Sequence, residues 1–253
     1  MSVTDLRGLE RMNALAKELL EDESYYTLPN SRPKDAATLI LIDNSGPVSH
    51  VLLGKRHRGH KFMPGKYVFP GGGLEPTDKR MAVAHPLDAQ AEQRLMRAVK
   101  RASPVKARAL ALAAIRETYE ETGLLIGRRS DQPATLGGPW AAFAQAQVLP
   151  DLATLHFVAR AITPPRRPKR FDTRFFAADA TTIADRIEGM IGPNAELVEL
   201  VWMPLAQARQ LDMPAITAVV LEELDMRIAA GLRHDLPVPF YQMLHGHFVR
   251  TLL

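Results

Sequence analysis

The sequence predicts an α/β fold in which helices and strands share one core. Apolar runs typical of strands alternate along the chain with segments of helical periodicity. Neither an internal repeat nor a long linker divides the 253 residues. With 46% apolar and 24% charged residues, a chain of this length can bury a sizeable core. We therefore expect a single domain over residues 1–253.

The first part of the chain predicts a helix followed by a strand pair. Apolar residues recur at helical spacing over about 5–21, which predicts an N-terminal helix. Apolar runs at 36–43 and 50–57, separated by the turn sequence DNSGPVS, predict a β-hairpin. The Gly- and Pro-rich stretch 60–78 is expected to be mostly loop, with a short strand at 66–69.

Two helices are predicted next. Residues 87–102 have an amphipathic pattern. The following helix is delimited by its ends: Ser103 can cap it, Pro104 suits its first turn and Gly123 is a C-terminal stop. It should therefore run from Pro104 to Thr122.

The remainder of the chain predicts three strands and a final helix. The strands are expected at 155–162, 173–178 and 197–203, and the helix at 215–230.

Composition excludes several classes of function. The chain has no cysteine, which excludes disulfides, thiolate catalysis and Cys-based metal centres, and favours a cytoplasmic location. Its beginning lacks the apolar core of a secretory signal, and no apolar run is long enough to cross a bilayer, so no membrane association is expected. The formal net charge of +4 is scattered, and no nucleic-acid-binding module is recognisable, so no nucleic acid is expected as a partner.

Three glutamates share one face of the 104–122 helix. Glu117, Glu120 and Glu121 stand at positions i, i+3 and i+4. Like charges at that spacing repel each other, and carboxylates near a helix C-terminus oppose its dipole. A hard divalent cation compensates both effects, because Mg²⁺ takes carboxylate and phosphate oxygens. The cluster therefore indicates a metal site, with a solvated acidic face as the alternative.

A glycine-rich segment, FPGGG at 69–73, precedes this helix and is followed by Asp78. Glycines let the backbone approach a ligand or metal closely. The two segments together resemble the Nudix box, G-x5-E-x7-R-E-U-x-E-E-x-G-U, in which U is a bulky apolar residue. The matching residues are Gly72, Arg116, Glu117, Glu120, Glu121, Gly123 and Leu124.

This sequence departs from the box at three places. Asp78 replaces the first glutamate, and Thr118 occupies the apolar position U. The stretch between Asp78 and Arg116 is much longer than the seven residues of the box. The additional residues are expected to form a helical insertion at about 79–103, which should affect access to the site rather than its chemistry.

A second resemblance lies just upstream. The coenzyme A branch of the Nudix hydrolases carries L-L-T-x-R-[SA]-x3-R-x3-G-x3-F-P-G-G. The spacing holds here, with Arg56 and Gly65 in place, while Gly54, His57 and Lys61 differ from the pattern. The two resemblances together cover about residues 52–124.

The resemblance implies an α/β/α sandwich with a mixed sheet and a metal-dependent hydrolase. Its substrate would be a nucleoside diphosphate linked to another group, with coenzyme A or acyl-CoA first, and ADP-ribose or a dinucleotide such as NADH as the alternative. A non-catalytic Nudix-fold nucleotide-binding regulator is the alternative from another class. Mg²⁺ or Mn²⁺ would be the cofactor. The oligomeric state is not legible from the sequence, so a homodimer stays open.

The resemblance also implies roles for the box residues. Glu117, Glu120 and Glu121 would hold the metal, together with the backbone carbonyl of Gly71. Glu120 and Glu121 would also be catalytic, and which glutamate is the general base stays open. Arg116 would orient Asp78 and the loop through an ion pair.

Residues outside the box complete the predicted site. A fourth carboxylate is expected just before the strand at 197–203, with Glu196 first and Glu199 as runner-up; should both fail, Asp151, Asp172 or Asp179 would follow. Substrate would be bound by Arg56, Lys61, Gly72, Gly73 and Arg170. The basic segment 166–170 is a candidate for binding substrate phosphates, and the alternative is a solvated basic loop.

Overall fold

A mixed β-sheet covered by helices on both faces forms the body of the protein. The computed structural model describes residues 3–22, 26–59, 63–131 and 137–253, with side chains from residue 7 onward. Its helices are α1 Val3–Glu21, α2 Ala89–Met96, α3 Pro104–Thr122, α4 Ala141–Gln145, α5 Leu205–Ala208 and α6 Ala215–Ala229. Its strands are β1 Lys34–Asp43, β2 His50–Arg56, β3 Tyr67–Val68, β4 Gly71–Gly73, β5 Leu124–Ile126, β6 Arg128–Arg129, β7 Val148–Leu149, β8 His156–Ile162, β9 Phe171–Asp179, β10 Ile183–Arg186, β11 Leu197–Pro204, β12 Pro239–Leu244 and β13 His247–Leu252.

The sheet has the order β11-β2-β1-β9-β8-β12-β13, with β3 beside β2 and β4 beside β1. The β1–β9 and β8–β12 pairs are parallel, whereas the other pairs in this sheet are antiparallel. Two ribbons, β5–β10 and β6–β7, lie outside it. The predicted α/β/α sandwich with a mixed sheet is therefore confirmed.

Alternation along β1 separates the two apolar layers. Leu39 and Leu41 face the layer that contains α3, while Ile40 and Ile42 face the layer of α1 and α6. Successive side chains of a strand point to opposite faces, so a run of apolar residues in β1 can supply both cores. Among the described helices, none has the length and apolar character that crossing a bilayer requires.

The predicted hairpin is present, but its two strands soon diverge. β1 pairs with β2 only at Ile42–Val51 and Asp43–His50. The first half of β1 pairs instead with the glycines 71–73, which form the short strand β4 rather than the expected loop. The fork between β2 and β4 leaves space beside the sheet, and the functional cavity described below opens there.

Helix α3 has the predicted bounds and caps. The Ser103 hydroxyl accepts a hydrogen bond from the backbone N–H of Lys106 at 3.2 Å. Gly123 ends the helix with a φ of +78°, a conformation that suits glycine. Between these ends α3 is largely buried against the sheet, which explains its many alanines.

The second predicted helix is shorter than 87–102, which corrects that prediction. Asp88 caps α2 by accepting from the backbone N–H groups of the first turn. The helix ends at Met96 because Arg97 is extended and Ala98 has a φ of +52°. Arg160 of β8 donates to the carbonyl oxygens of both residues at 3.2 Å. A contact with the sheet thus overrides the apolar periodicity beyond Met96.

Candidate active site

A cavity of about 340 Å³ opens at the fork between β2 and β4. Glu117 and Glu121 of α3 line it together with the glycines 71–73. Arg56 and Glu196 line it as well. Apolar side chains form much of the remaining wall, among them Phe69, Phe171, Phe175 and Ile216. A concave, partly apolar space with a few convergent charged groups is typical of a small-molecule site.

Arg116 links the two separated halves of the box. Its side chain is 1% exposed, and its Nε and Nη2 atoms donate to the carboxylate of Asp78 at 2.9 and 3.2 Å. Nη2 also donates to the carbonyl oxygen of Gly73 at 2.7 Å. Nη1 donates to Glu117 at 2.9 Å and to Glu120 at 2.8 Å. The predicted ion pair with Asp78 is present although the two residues are 38 positions apart in the sequence.

Asp78 is held in place from its own side too. It lies in the 3₁₀ turn Pro76–Lys79, is fully buried, and accepts a hydrogen bond from the backbone N–H of Glu75 at 2.8 Å. An aspartate reaches Arg116 because this turn packs directly against α3. The replacement of glutamate by aspartate therefore preserves the contact.

The carboxylate of Glu117 rests directly against Gly72. A Cβ at Gly72 would lie 2.5 Å from the carboxylate atoms of Glu117, so a larger residue at this position would require that carboxylate to shift. Burial raises the pKa of Glu117 to about 7, and the charges of Glu120 and Glu196 add to the rise, although Arg116 opposes it. The helix and the glycine strand thus meet at this carboxylate.

Glu121 is the most deeply buried of the three glutamates. Its residue is 7% exposed, and its Oε2 atom has no hydrogen-bond partner. The backbone N–H of Gly71 donates to its carboxylate. Burial raises the pKa of Glu121 well above its usual value, and the charges of Glu196 and Glu117 raise it further. An unpartnered buried carboxylate oxygen is costly, so it marks a place where a ligand would be stabilising.

Glu120 takes a different position. It lies beside Arg116 and is absent from the residues that line the cavity, whereas Glu117 and Glu121 face the cavity. Its side chain is about one third exposed, at 35%. Burial raises its pKa, and the pairing with Arg116 opposes that rise. The structure therefore brings two of the three glutamates onto the cavity wall and leaves the third at its margin.

The two candidates for a fourth carboxylate are clearly distinguished. Glu196 lines the cavity, and its charge raises the pKa of both Glu117 and Glu121. It also forms an ion pair with Arg56, with 2.8 Å between Oε1 and Nη2. Glu199 instead lies 3.8 Å from Lys55 and does not line the cavity. The geometry thus favours the first of the two predicted residues.

The three aspartates named as substitutes have other partners. Asp151 contacts His85, Asp172 pairs with Arg160, and Asp179 accepts from Thr181. They do not line this cavity.

The predicted substrate-binding residues are only partly brought together. Arg56, Gly72 and Gly73 line the cavity, and Lys61 lies outside the described residues. Arg170 does not line it: its guanidinium donates to Thr163, to Asn30 and to Ser31. The neighbouring Lys169 lies in the cavity wall instead.

Sequence reasoning missed the aromatic part of this wall. Phe171 and Phe175 of β9 line the cavity beside Thr173. They belong to one face of the strand at a spacing of two residues, which is the signal that could have identified them.

The donor set fits a hard divalent cation in kind. Glu117 and Glu121 offer carboxylate oxygens to the same cavity, one of them unpartnered, and Glu196 adds a third. In the described part of the chain, no three acidic or histidine side chains are already drawn together as a closed metal site. Two of these carboxylates have arginine partners: Glu117 pairs with Arg116, and Glu196 pairs with Arg56.

The fold is similar to that of solved Nudix structures. The NUDIX hydrolase from Alicyclobacillus acidocaldarius is 27% identical over 79% of this chain and 96% of that chain, with a TM-score of 0.58. The NUDIX domain of Shewanella oneidensis NrtR, complexed with ADP ribose, is 15% identical over 84% and 97%, with a TM-score of 0.45. A Nudix hydrolase from M. smegmatis, RenU, is 16% identical over 78% and 87%, with a TM-score of 0.40.

No family model and no curated protein matches this sequence. The likeness to the Alicyclobacillus protein shows that this chain has the Nudix fold, and it supports membership of the Nudix superfamily. Gly72, Glu117 and Glu121, which match the Nudix box, meet at this cavity.

Proposed function

We propose that this chain is a metal-dependent Nudix diphosphatase that cleaves a nucleoside diphosphate linked to another group. One observation carries the proposal: Glu117 and Glu121 face a single cavity with Glu196, and an oxygen of Glu121 has no partner. The likeness to a NUDIX hydrolase supports it. The buried carboxylate of Glu121, with one oxygen unpartnered, favours an enzyme over a regulator that only binds a nucleotide.

Mg²⁺ or Mn²⁺ would be held by Glu117 and Glu121, which face the cavity, with the carbonyl of Gly71, and Glu120 would contribute from the margin of the cavity. When bound, a divalent cation neutralises diphosphate oxygens and lowers the pKa of the attacking water. Arg116 keeps Glu117 and the glycine strand in register, which is a positioning role.

The reaction balances as a hydrolysis. The oxygen of water forms a bond to one phosphorus of the diphosphate, and the bond from that phosphorus to the bridging oxygen breaks. The bridging oxygen leaves on the second phosphate, and the protons of the water pass to a carboxylate and then to solvent. Glu196 is suited to accept a proton because it is half exposed at the cavity and close to Glu117 and Glu121.

Coenzyme A or an acyl derivative is the leading substrate in this proposal. The motif over residues 52–72 supports it, with Arg56 and Gly72 in the cavity wall. Lys169 adds a second cation for phosphate groups, and Phe171 and Phe175 add apolar surface on which a base can stack. The active unit would be one Nudix domain over residues 1–253, acting on a small nucleotide.

The test is a substrate panel with purified protein. Coenzyme A, acetyl-CoA, ADP-ribose, NADH and nucleoside triphosphates are incubated with Mg²⁺ or Mn²⁺, and products are identified by mass spectrometry. We expect coenzyme A to be cleaved at its diphosphate and all cleavage to stop in excess chelator. Hydrolysis in ¹⁸O-labelled water identifies the phosphorus that is attacked.

E196Q and E199Q form a matched pair of variants for this assay. Both remove one charge near the start of β11, but only Glu196 lines the cavity. We expect E196Q to lose at least about 100-fold in kcat, the low end for a catalytic acid or base, and E199Q to remain active. Ready cleavage of ADP-ribose or NADH with no action on coenzyme A would reject the substrate, and no turnover of any compound would reject the enzyme.

A further inference from the structure

A second groove lies apart from the candidate active site. It has a volume of about 900 Å³ and shares no lining residue with the cavity at Glu117 and Glu121. One wall is the segment Val83–His85 of the insertion. The opposite walls come from Gly127–Ser130 around β6 and from Thr181–Thr182 after β9. The insertion therefore contributes to this groove and not to the active cavity.

The insertion wall of the groove is firmly attached to the body. The backbone N–H of Ala84 donates to the carbonyl of Pro150 at 2.8 Å, and that of Leu152 donates to the carbonyl of His85 at 3.1 Å. His85 and Asp151 form a parallel bridge between these segments. The groove is thus preformed, so binding there would not require the wall to be ordered first.

A histidine–aspartate pair lies in this groove. Asp151 is 4% exposed, and its Oδ2 atom lies 3.1 Å from Nδ1 of His85. Its Oδ1 atom accepts from the backbone N–H of Ala153 at 3.3 Å. The Asp151 carboxylate accepts a hydrogen bond from Nδ1–H of His85, so Nε2 is the ring nitrogen outside this pair, and the imidazole ring is half exposed.

Two arginines give the groove its charge. Asp151 is the sole carboxylate among the described lining residues, and it already pairs with Arg128, whose Nε lies 3.7 Å away, and with His85. Arg129 is engaged with Asp185 and with the carbonyl of Ala146. Arg128 lines the groove and its side chain is 62% exposed.

The three threonine hydroxyls at the rim of the groove are already committed as donors. Thr154 donates to the carbonyl of Asp151, and Thr181 and Thr182 donate to Asp179. Arg128 and His85 therefore remain as the groups that can recognise a ligand by charge.

We infer that this groove, framed by Arg128, His85 and the insertion, binds a small molecule through a phosphate group. A guanidinium fork matches two phosphate oxygens, and an imidazole that is fixed by a carboxylate can share a proton with a third. The volume of the groove exceeds the size of a phosphate, which leaves room for a nucleoside or another group attached to it. Free phosphate and a phosphate monoester present the same chemistry to these residues.

The test is a calorimetric titration of the protein with inorganic phosphate and, separately, with AMP. Chelator is present and the protein carries E121Q, so that the active cavity does not contribute. We expect saturable binding that weakens about tenfold in R128Q and less in H85Q, since charge-assisted bonds to phosphate are lost. R186Q is the matched control, because Arg186 pairs with Glu188 and lies outside the groove.

The relative affinities identify the ligand. Tighter binding of AMP than of phosphate supports a monoester ligand, and equal binding supports free phosphate. No saturable binding of either probe would overturn the inference. Binding that R128Q and H85Q leave unchanged, with both variants folded by circular dichroism, would overturn it as well.

Discussion

Arg116 and Glu121 lie on the same buried helix, little more than one turn apart. They differ in their hydrogen bonds: Arg116 has a full set of partners, and Glu121 does not. Every nitrogen of the Arg116 guanidinium donates a hydrogen bond, and its acceptors lie on α3, the glycine strand and the turn that holds Asp78. Glu121 receives a backbone hydrogen bond from Gly71, but its Oε2 atom has no partner.

This difference distinguishes a residue that holds the site together from one that takes part in the proposed reaction. A buried charge with a full set of partners holds segments in register, and removing it leaves the partners uncompensated. A buried charge that lacks partners costs stability, so its presence requires another reason. Arg116 therefore belongs to the framework of the site, and Glu121 to its proposed reaction.

The E121Q variant should lose activity without losing stability. Glutamine has the shape of glutamate and can still accept from Gly71, but it cannot act as an anionic ligand. Turnover should fall at least about 100-fold, consistent with loss of a metal ligand. The thermal midpoint should stay the same or rise, because a buried charge is removed. Steady-state kinetics and calorimetry of the same preparations measure both effects.

Full activity of E121Q would contradict this assignment. A large loss of stability together with activity would also contradict it, because Glu121 would then belong to the scaffold like Arg116. E199Q serves as control for the removal of a carboxylate outside the cavity.

The R116M variant should lose stability. Methionine retains an apolar chain but leaves Asp78 buried without its cation. Breaking a buried ion pair in this way should cost about 3–5 kcal/mol. The measurement is the free energy of unfolding in urea at pH 7.

The double variant R116M/D78L is the control for that stability loss. It replaces both buried charges by apolar groups and should recover part of the loss, because no uncompensated carboxylate remains. A cost of less than about 1 kcal/mol for R116M alone, the range of exposed ion pairs, would show that Arg116 is not the framework residue described here.

The G72A variant should displace the carboxylate of Glu117 and leave the fold intact. The added Cβ would lie 2.5 Å from the carboxylate of Glu117, which must then shift. A displacement of this size should reduce kcat about 10- to 100-fold, since catalysis depends on geometry at the scale of an ångström. Kinetics with the substrate found in the panel provide the readout.

G73A is the matched control for G72A. A Cβ at Gly73 meets no atom within 4 Å, so this variant adds the same methyl group without displacing Glu117, and its loss in kcat should be smaller than that of G72A. Equal losses in the two variants would indicate a general effect on the glycine strand rather than contact with Glu117.

The sequence predicts local structure well where the chemistry is local. Ser103, Pro104 and Gly123 define α3 because caps act within one turn. The same reasoning overextended α2, since the contact of Arg160 with Arg97 and Ala98 is distant in sequence.

The sequence also left a C-terminal hairpin unassigned. β12 and β13 are joined by His245 and Gly246, both with positive φ, which is a tight-turn pattern that sequence reasoning could have used. The parallel pairing of β1 with β9 carries no such signal, because it depends on segments more than 130 residues apart.

The site was predictable in its residue types and less so in its arrangement. The helical spacing placed Glu117, Glu120 and Glu121 on one face. It did not show that Arg116 draws Glu120 to the margin of the cavity, because that depends on how the helix is rotated against the glycine strand. Nor did it show that Lys169 rather than Arg170 lines the wall.

His156 provides the smallest test, because it resembles Glu121 in one respect only. Its Nδ1 atom is buried without a partner, and its ring stacks on that of His234 at 4.4 Å. Burial lowers the pKa of His156 from 6.5 to about 4, and the charges of His234 and Arg227 lower it further, while Asp88 opposes them. It lies outside the active cavity, so we expect an effect on stability and none on turnover.

The direction of the pH effect follows from where each state takes up a proton. Between pH 6.5 and 4 the unfolded chain protonates His156 while the folded protein keeps it neutral, so acid stabilises the unfolded state. Partial exposure limits this contribution to about 1–2 kcal/mol between pH 7 and 4. H156Q removes the titration, so wild type should lose stability relative to H156Q as the pH falls through this range. Urea unfolding of both proteins at several pH values measures the difference. A difference in unfolding free energy between wild type and H156Q that stays constant from pH 7 to 4 would show that burial of the unpartnered Nδ1 atom does not disfavour the folded protein. The same argument for the unpartnered Oε2 atom of Glu121 would then be weaker.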